Sequence, residues 1–349
     1  MNRRRTDLDE SDVRVRPNPR GTRPRSKSRP RHEGAEAAWV VAVDRGRYTC
    51  LVAEGAPAEH VVLAMKAREL GRSGVLVGDR VALVGDVTGA PGSLARIVRV
   101  DPRTSMLRRS ADDTDPVERG IVANAGQLAI VTALADPVPR PRMVDRCLVA
   151  AYDSGLDPLL VLTKADLSDP AGFLGRYAPL DVPFVVTSRT ADGAWNGLEA
   201  VLDAVSRRVT VLVGHSGVGK STLVNALVPG AGRATGSVND VTGRGRHVST
   251  SAVALRLPGG GWVIDTPGVR SFGLAHVNPD RILAAFPDLS AGTGECPRGC
   301  AHDEPECGLD AFVTTGGAGV AGGARLTSLR RLLRSRAGTP EPDSSGDTI

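Results

Sequence analysis

Apolar and polar positions alternate in short stretches through the first part of the chain, between residues 38 and 106. Five such stretches are separated by Gly, Pro and Asp. Alternation over about five residues is typical of half-buried β-strands. We therefore predict strands at 39–43, 48–52, 75–77, 80–84 and 96–100. Five short strands in this space favour a small OB-like β-barrel, with an Sm- or SH3-like barrel as the alternative.

A different pattern follows between residues 107 and 275, where apolar runs of strand length alternate with stretches of helical periodicity. This alternation indicates an α/β domain. We predict strands at 128–134, 159–162 and 182–186, helices at 142–152, 193–208 and 220–227, and a hairpin of 253–257 with 262–264. The Gly-rich segment 229–250 has few apolar residues and is expected to be a mobile loop. Short helices are predicted at 280–286 and 326–336.

The positive charge lies at the N-terminus. The chain has a net charge of +5, and residues 1–35 alone hold eleven Lys or Arg against five Asp or Glu. With Pro interspersed and few large apolar residues, this tail cannot bury a core and is expected to be disordered. A flexible polycation suits a polyphosphate partner such as RNA, and a merely solubilising tail is the alternative.

These shifts in pattern divide the chain into five segments. They are a basic disordered tail (1–37), an OB-like barrel (38–106), an α/β nucleotide-binding domain (107–275), a Cys/His-containing helical domain (276–336) and a disordered tail (337–349). No apolar run reaches the roughly 20 residues that span a bilayer, and no apolar signal region follows the arginines. We expect a cytoplasmic protein with no membrane partner.

A phosphate-binding loop occurs at 214–222, where GHSGVGKST follows an apolar strand and opens a helix. Glycines in such a loop let main-chain N–H groups converge on phosphates at the helix N-terminus. We expect Lys220 to reach the β- and γ-phosphates and Ser221 to bind Mg²⁺. The predicted phosphate-contacting set is Gly214, His215, Ser216, Gly217, Val218, Gly219, Lys220, Ser221 and Thr222.

A base-reading motif, Thr163-Lys164-Ala165-Asp166, ends an earlier predicted strand. The carboxylate of Asp166 can accept hydrogen bonds from guanine N1 and N2, which adenine does not offer. Thr163 stands where Asn is usual, which weakens one polar contact with the base, but Thr163 stays in the predicted base-binding set with Lys164, Ala165 and Asp166. Ser188 is a candidate for a second base contact. The motif precedes the phosphate loop, the reverse of the usual GTPase order, so the chain resembles a circularly permuted GTPase.

Lysine usage agrees with these two motifs. The chain has 40 Arg but only four Lys, and two of the four are Lys164 and Lys220. A compact ammonium group fits a phosphate cradle where a planar guanidinium does not.

A third nucleotide motif, Asp265-Thr266-Pro267-Gly268, follows the last apolar run. We expect Asp265 to hold Mg²⁺ and the Gly268 N–H to reach the γ-phosphate. Ser249 or Thr250, with Thr250 favoured, is expected to contact Mg²⁺ and the γ-phosphate when its loop closes. Val269 occupies the position where many GTPases have a water-orienting Gln. His247 is our candidate for that role, because a neutral imidazole can orient or deprotonate water. The alternative is that His247 faces RNA or solvent.

Three of the five cysteines lie within twelve residues together with a histidine. This set offers three thiolates and one imidazole, which suit tetrahedral Zn²⁺ in a closed structural site. The predicted zinc ligands are Cys296, Cys300, His302 and Cys307. Cys50 and Cys147 lie alone in apolar segments and are expected to be buried.

The permuted motif order, the barrel and the Cys₃His cluster together resemble the RsgA (YjeQ) family of ribosome small-subunit-dependent GTPases. The similarity covers about 38–335 and includes Asn124, the Asp145-Arg146 pair and the Arg-Gly-Arg-His run ending at His247. The resemblance implies a monomer that hydrolyses GTP to GDP, acts late in 30S maturation, contacts 16S rRNA and leaves upon hydrolysis. It also implies slow intrinsic turnover that 30S subunits stimulate.

Three other functions are weighed against this one. A large-subunit assembly GTPase would lack the barrel and the Cys₃His cluster together. An RNA-binding protein with a nucleotide switch of little turnover would not need Lys220, Ser221 and Asp265 intact. An ATPase is disfavoured by Asp166.

Overall fold

The computed structural model describes residues 32, 34–71, 74–109, 118–232, 252–266, 273–274 and 276–338. Most of the predicted N- and C-terminal tails and most of the predicted loop 229–250 lie outside these residues, while Glu36 already belongs to a strand and Ala337 still belongs to a helix. Among the described helices, none is both long and apolar enough to cross a membrane.

A closed barrel of five strands forms the N-terminal part. Its strands are β1 (Glu36–Asp44), β2 (Arg47–Val52), β3 (His60–Lys66), β4 (Arg80–Gly85) and β5 (Ala95–Val100). The strand order is β1-β2-β3-β5-β4, and β4 pairs back with β1. Inward-facing side chains such as Val40, Val62 and Ile97 are fully buried and fill its core. Because β4 pairs with β1, the barrel has no free edge between these strands.

The third barrel strand differs from the prediction. The segment 75–77 is not a strand and forms only an isolated bridge from Val77 to Val122. The third strand is β3, whose Val62 and Ala64 are buried while Val61, Leu63 and Met65 are exposed. Both faces of β3 are apolar, so its sequence shows no alternation of apolar with polar residues.

A two-stranded ribbon of β6 (Met106–Arg109) and β7 (Arg119–Ala123) leads from the barrel into the α/β part. The α/β elements that follow are β8 (Gln127–Ala133), α1 (Pro141–Ser154), β9 (Asp157–Thr163), α2 (Ala171–Tyr177), β10 (Phe184–Val186), β11 (Ser188–Arg189), β12 (Trp195–Asn196), α3 (Leu198–Val205), β13 (Val209–Gly214), α4 (Lys220–Leu227), β14 (Val253–Arg256) and β15 (Trp262–Asp265).

These strands join the barrel strands in one continuous sheet. The order is β10-β9-β8-β13-β15-β14, and β14 then pairs with β1 of the barrel. The pairs from β10 to β15 are parallel, whereas β14 is antiparallel to β15. Every residue of β8 is buried, as expected for a parallel strand covered on both faces. The carboxyl ends of β9, β8, β13 and β15 therefore meet at one edge.

The helix predicted at 193–208 begins only at Leu198. The preceding residues Trp195–Asn196 instead pair with Ser188–Arg189 in a small hairpin. Gly197 has φ of 77°, and a Cβ there would lie 2.3 Å from the carbonyl oxygen of Val186. This close approach ends the hairpin and starts α3, which helical periodicity alone does not reveal. The strand predicted at 182–186 is shortened to Phe184–Val186.

The C-terminal part consists of α5 (Pro279–Leu283), α6 (Pro287–Ser290), α7 (Gly308–Thr314) and α8 (Gly322–Ala337). Helix α8 packs on α1 through polar contacts as well as apolar ones. Arg331 Nε lies 3.3 Å from the buried Asp145 carboxylate, and Arg146 donates to the carbonyl of Ser335 at 2.9 Å. The Asp145-Arg146 pair thus joins the α/β part to the C-terminal helices.

Candidate nucleotide and metal sites

The phosphate loop runs from the end of β13 to the start of α4. Gly217 and Gly219 have φ of 84° and 88°, in the left-handed region that favours glycine. A Cβ at Gly214 would lie 2.5 Å from the carbonyl oxygen of Val131 on β8, so that position also needs glycine. This backbone is the form that turns successive N–H groups toward one point above the N-terminus of α4.

Lys220 forms an ion pair with Asp265. Their side chains are only 13% and 5% exposed, and they come from the ends of the neighbouring elements β13–α4 and β15. Thr266, the next residue, donates its hydroxyl to the carbonyl of Leu212 at 2.8 Å. The structure therefore brings the predicted phosphate lysine and the predicted Mg²⁺ carboxylate together, 45 residues apart in the chain.

The base-reading motif begins at the end of β9, on the same sheet edge. The Thr163 hydroxyl is buried and donates a 2.6 Å hydrogen bond to the carbonyl of Val218 in the phosphate loop. It also lies 3.3 Å from the carbonyl of Thr132. The sequence suggested Thr163 as a base contact, and its bond to the phosphate loop was missed.

Lys164 and Asp166 follow Thr163 at the surface. Lys164 has φ of 58°, and its ammonium group contacts the main-chain carbonyl of Asp136 and lies 3.8 Å from the Asp136 carboxylate. The side chain of Asp166 is exposed, and Ala165 donates its N–H to the carbonyl of Thr187 at 3.1 Å. The motif is therefore anchored at its start and middle, while the Asp166 carboxylate faces outward.

Ser188 lies close to the base-reading motif, because the preceding residue, Thr187, accepts the N–H of Ala165. Its hydroxyl accepts a 3.2 Å hydrogen bond from the Asn196 side chain across the β11–β12 hairpin. The preceding Thr187 donates its N–H to the carbonyl of Leu162 on β9 at 2.7 Å. Ser188 is thus on the base-motif side of the sheet edge.

The loop after β8 is a part of the site that the sequence analysis missed. Asp136 contacts Lys164, and the ring of Pro137 lies beside the phosphate loop, 3.5 Å from where a Cβ on Gly217 would be. The same loop lines a cleft with His215 and Val218. No short motif marks these residues, so their position could be found only from the tertiary structure. The other predicted nucleotide residues His247, Ser249, Thr250 and Gly268 lie outside the described part of the chain.

The Cys₃His cluster is assembled by the segment between α6 and α7. The donor atoms of Cys296, Cys300, His302 and Cys307 all lie within 4.8 Å of one another. Cys296 Sγ is 3.6 Å from His302 Nδ1 and 3.9 Å from Cys307 Sγ. Three soft sulfur donors and an imidazole at these separations fit a tetrahedral metal ion. The residues therefore can hold a metal ion.

Arginines of α8 contact the segment that carries the four predicted metal ligands. Arg330 donates to the carbonyl of His302 at 3.0 Å and forms an ion pair with Asp310 at 2.6 Å. Arg334 forms an ion pair with Asp303 at 2.6 Å. These contacts orient the ligand-bearing loop on α8.

The remaining cysteines are buried in apolar surroundings, as predicted. Burial raises the pKa of the Cys50 and Cys147 thiols to about 12. Neither is therefore a thiolate at neutral pH.

Comparison with known proteins identifies this arrangement. The RsgA GTPase family model matches residues 100–275. A "Small ribosomal subunit biogenesis GTPase RsgA" of Gemmatimonas aurantiaca is 34% identical over 307 residues, which cover 87% of this chain and 97% of that protein. A protein of the same name from Pseudomonas aeruginosa is 39% identical over 257 residues, 71% of this chain and 72% of that protein.

Solved structures agree with this fold. YjeQ from Thermotoga maritima superimposes with a TM-score of 0.62 at 25% identity, covering 87% of this chain and 99% of that one. YloQ, described as a circularly permuted GTPase, superimposes with a TM-score of 0.60 at 21% identity, covering 90% and 100%. With its permuted motifs on one sheet edge, its five-stranded barrel and its Cys₃His cluster, the chain belongs to the RsgA GTPase family.

Proposed function

We propose that this GTPase binds the 30S ribosomal subunit, assists its late maturation and leaves the subunit as GTP is hydrolysed to GDP and phosphate. The observation that carries the proposal is the shared sheet edge, where Lys220, Asp265 and the Thr163–Asp166 motif lie side by side. The names of the relatives from two bacteria point to the small ribosomal subunit.

On the phosphate side, Lys220 contacts the β- and γ-phosphates, and main-chain N–H groups of 214–222 surround them. The oxygens of Ser221, Asp265 and Thr250 are hard donors that suit Mg²⁺. When bound, Mg²⁺ neutralises charge that develops on the phosphates. The ion pair of Lys220 with Asp265 supports this assignment, because two side chains in contact can bind the same phosphate group and its metal ion. The N–H of Gly268 contacts the γ-phosphate.

On the base side, Asp166 accepts from guanine N1 and N2, and the methylene groups of Lys164 pack beside the base with Ala165. The exposed position of the Asp166 carboxylate is consistent with this role. Ser188 supplies a second contact to the base. His247 orients the attacking water in place of the Gln that other GTPases use.

The Cys296–Cys307 cluster holds one structural Zn²⁺ through four protein ligands. A ligand set without an open position does not favour catalysis, so the ion's role is to order the loop between α6 and α7. The donor set and its spacing support zinc over harder cations.

The barrel and the arginine-rich tail contact 16S rRNA in this proposal. The assigned segments are the tail 1–37, the barrel 38–106, the permuted GTPase domain 107–275, the zinc domain 276–336 and the tail 337–349. The protein acts as a monomer in the cytoplasm, with GTP and GDP as its ligands and no membrane partner.

The test is GTP turnover by the full chain, alone, with 30S subunits and with 50S subunits. We expect strong stimulation by 30S subunits only. A Lys220→Ala variant should remove turnover in all three mixtures and so exclude a contaminating GTPase. Equal rates for the wild-type protein in all three would support an RNA-binding switch instead, and stimulation by 50S subunits would support a role in large-subunit assembly.

A further inference from the structure

Two carboxylates join the barrel to the hairpin of the GTPase domain: Glu59, which is ion-paired with Arg256 of β14, and Glu54. Glu54, which follows β2, accepts a 2.6 Å hydrogen bond from Arg80 of β4 on one oxygen. Its other oxygen accepts a 2.9 Å hydrogen bond from the indole N–H of Trp262 on β15. The two oxygens of Glu54 therefore accept hydrogen bonds from one residue of the barrel and one residue of the hairpin.

Two tryptophans meet at the same boundary. The rings of Trp39 on β1 and Trp262 on β15 lie 4.5 Å apart between centroids, edge to face at 64°. Trp39 is 2% exposed and donates its indole N–H to the carbonyl of Gly78 at 3.0 Å. Two of the three tryptophans of the chain form this contact. We call Trp39, Glu54 and Trp262 the Trp–Glu junction.

The hairpin held by the junction connects the two segments that are expected to sense the γ-phosphate. Strand β14 begins at Val253, directly after the segment that contains His247 and Thr250, and β15 ends at Asp265. Val253 is paired with Asp265 across the hairpin and with Ala42 of the barrel strand β1. Strand β1 thus touches the nucleotide end of the hairpin at Ala42 and its turn end at Trp39.

This geometry leaves the barrel little freedom to move alone. A shift of β1 along the hairpin moves Val253 and Asp265, and Asp265 is ion-paired with Lys220 in the phosphate loop. Close-packed contacts transmit such displacements because they have no voids to absorb them. The Glu54 hydrogen bonds and the edge-to-face rings are directional, so they specify the orientation of the barrel as well as holding it.

We propose that the Trp–Glu junction transmits docking of the barrel on the ribosomal partner to β14 and β15, and so sets the stimulated rate of GTP hydrolysis. Glu54 and Trp39 are positioning residues in this role, because they contact Trp262 at the turn end of the hairpin and act through Val253 and Asp265 at its other end. The inference rests on the proposed function, in which the 30S subunit is that partner and stimulates turnover.

The test uses the full chain with Glu54→Ala, which breaks both bonds of the carboxylate but leaves the strand pairing and the Trp contact. Trp39→Phe is the second variant, since it keeps an aromatic ring next to Trp262 and removes the indole N–H. Asp101→Ala is the matched control, because it removes a barrel ion pair, with Arg99, that does not involve the hairpin. Turnover is measured with and without 30S subunits, and binding to 30S subunits is measured with a non-hydrolysable GTP analogue.

We expect Glu54→Ala to lower the 30S-stimulated rate at least about fivefold, the lower end of usual coupling between sites, with intrinsic rate and 30S affinity within about twofold of wild type. Trp39→Phe should also lower the 30S-stimulated rate, whereas the rate of Asp101→Ala should match that of wild type. Full stimulation of the Glu54→Ala protein would overturn the inference. So would weaker 30S binding that accounts for the whole loss of rate.

A second measurement does not need ribosomes, which separates failure of this inference from failure of the proposed function. Trp195→Phe leaves Trp39 and Trp262 as the only indoles in the chain. Their emission and near-ultraviolet circular dichroism should differ between the GDP form and the form with the GTP analogue, and Glu54→Ala in this background should reduce the difference. Identical spectra in the two nucleotide forms would overturn the inference, even if wild-type turnover responds to 30S subunits.

Discussion

The hydroxyl of Thr163 donates a 2.6 Å hydrogen bond to the main-chain carbonyl of Val218, and so joins the base-reading motif to the phosphate loop. The two residues lie 55 positions apart in the chain. The bond is buried, so water cannot replace it. The base-reading motif and the phosphate loop are therefore held in one fixed relation by a side chain that the sequence suggested only as a base contact.

Replacing Thr163 with Val should weaken binding of GTP and GDP alike. Valine has nearly the same shape but leaves the Val218 carbonyl without its donor, at a cost of about 1–2 kcal/mol. That corresponds to roughly 5–30-fold weaker affinity, measured by nucleotide titration calorimetry. Thr163→Ser keeps the hydroxyl and should bind nearly as wild type does. Wild-type affinity in the Val variant would show that this bond does not position the site.

Replacing Asp166 with Asn should change the base that is bound. The amide offers a donor where the carboxylate offered only acceptors, so the guanine amino group loses a partner and the C2 carbonyl of xanthine gains one. We expect GTP affinity to fall roughly 100-fold and xanthosine triphosphate to bind in its place. Asp169→Asn is the control, because that nearby carboxylate accepts from the N–H of Ala171 at the start of α2 and is not part of the base-reading motif. Unchanged preference for GTP in the Asp166 variant would place base recognition elsewhere.

Replacing His247 with Ala should lower the 30S-stimulated turnover at least tenfold, because loss of a group that orients or deprotonates water removes general-base catalysis. Affinity for GTP should stay within about twofold, since the imidazole is not expected to bind the ground-state nucleotide. His247→Gln, whose amide can still orient water, should recover part of the rate. An Ala variant with full stimulated turnover would exclude this role.

Replacing Cys307 with Ala should remove the metal ion from the C-terminal segment. Three remaining ligands bind zinc weakly, so metal content measured by plasma mass spectrometry should fall from about one zinc per chain to near zero. The melting temperature should fall as well, because metal binding stabilises a loop-rich segment. Cys50→Ala removes a buried thiol of the barrel and should keep the zinc. A metal content of one in the Cys307 variant would contradict the proposed ligand set.

The Asp288–Arg325 ion pair should make stability depend on pH. Its two hydrogen bonds, of 2.6 and 2.8 Å, lower the pKa of the Asp288 carboxyl, chiefly through the side-chain bond from Arg325. A folded-state pKa below the unfolded value of about 3.9 means that the stabilisation is complete above that value and is lost as pH falls through the folded pKa. Asp288→Asn should therefore cost on the order of 1 kcal/mol at pH 7, measured by urea unfolding.

As pH falls below the unfolded-state value of about 3.9 and then through the lowered pKa of the folded Asp288 carboxyl, the ion pair is lost and the two proteins should approach equal stability. A difference between them that stays constant from pH 7 to pH 3 would show that the ion pair does not titrate as described.

Much of the nucleotide site is predictable from local sequence. The phosphate loop needs Gly214, Gly217 and Gly219 because their backbone positions exclude side chains or require positive φ, and such needs appear as a spaced motif. The Cys₃His cluster is likewise local, since its four donors lie within twelve residues. The α/β pattern follows from strands buried on both faces, as in β8. Each of these features depends on residues that lie close together in the sequence.

The secondary-structure predictions are wrong where the local sequence pattern conflicts with strand pairing in the folded protein. Strand β3 is apolar on both faces, so periodicity did not mark it, and the segment 75–77 was predicted in its place. The helix predicted from 193 starts at Leu198, because the residues before it pair with β11. In both cases the pairing partner decides the structure, and that partner is distant or ambiguous in the sequence.

By itself the sequence determined which chemical groups are present, in which order, and that guanine, phosphate and a soft-ligand metal are their natural targets. Only the tertiary structure decided what joins them: Thr163 to Val218, Lys220 to Asp265, and Glu54 to both Arg80 and Trp262. The reason is physical. Motifs reflect local backbone and ligand requirements, whereas these contacts form between residues brought together by strand pairing across 26 to 208 positions of chain.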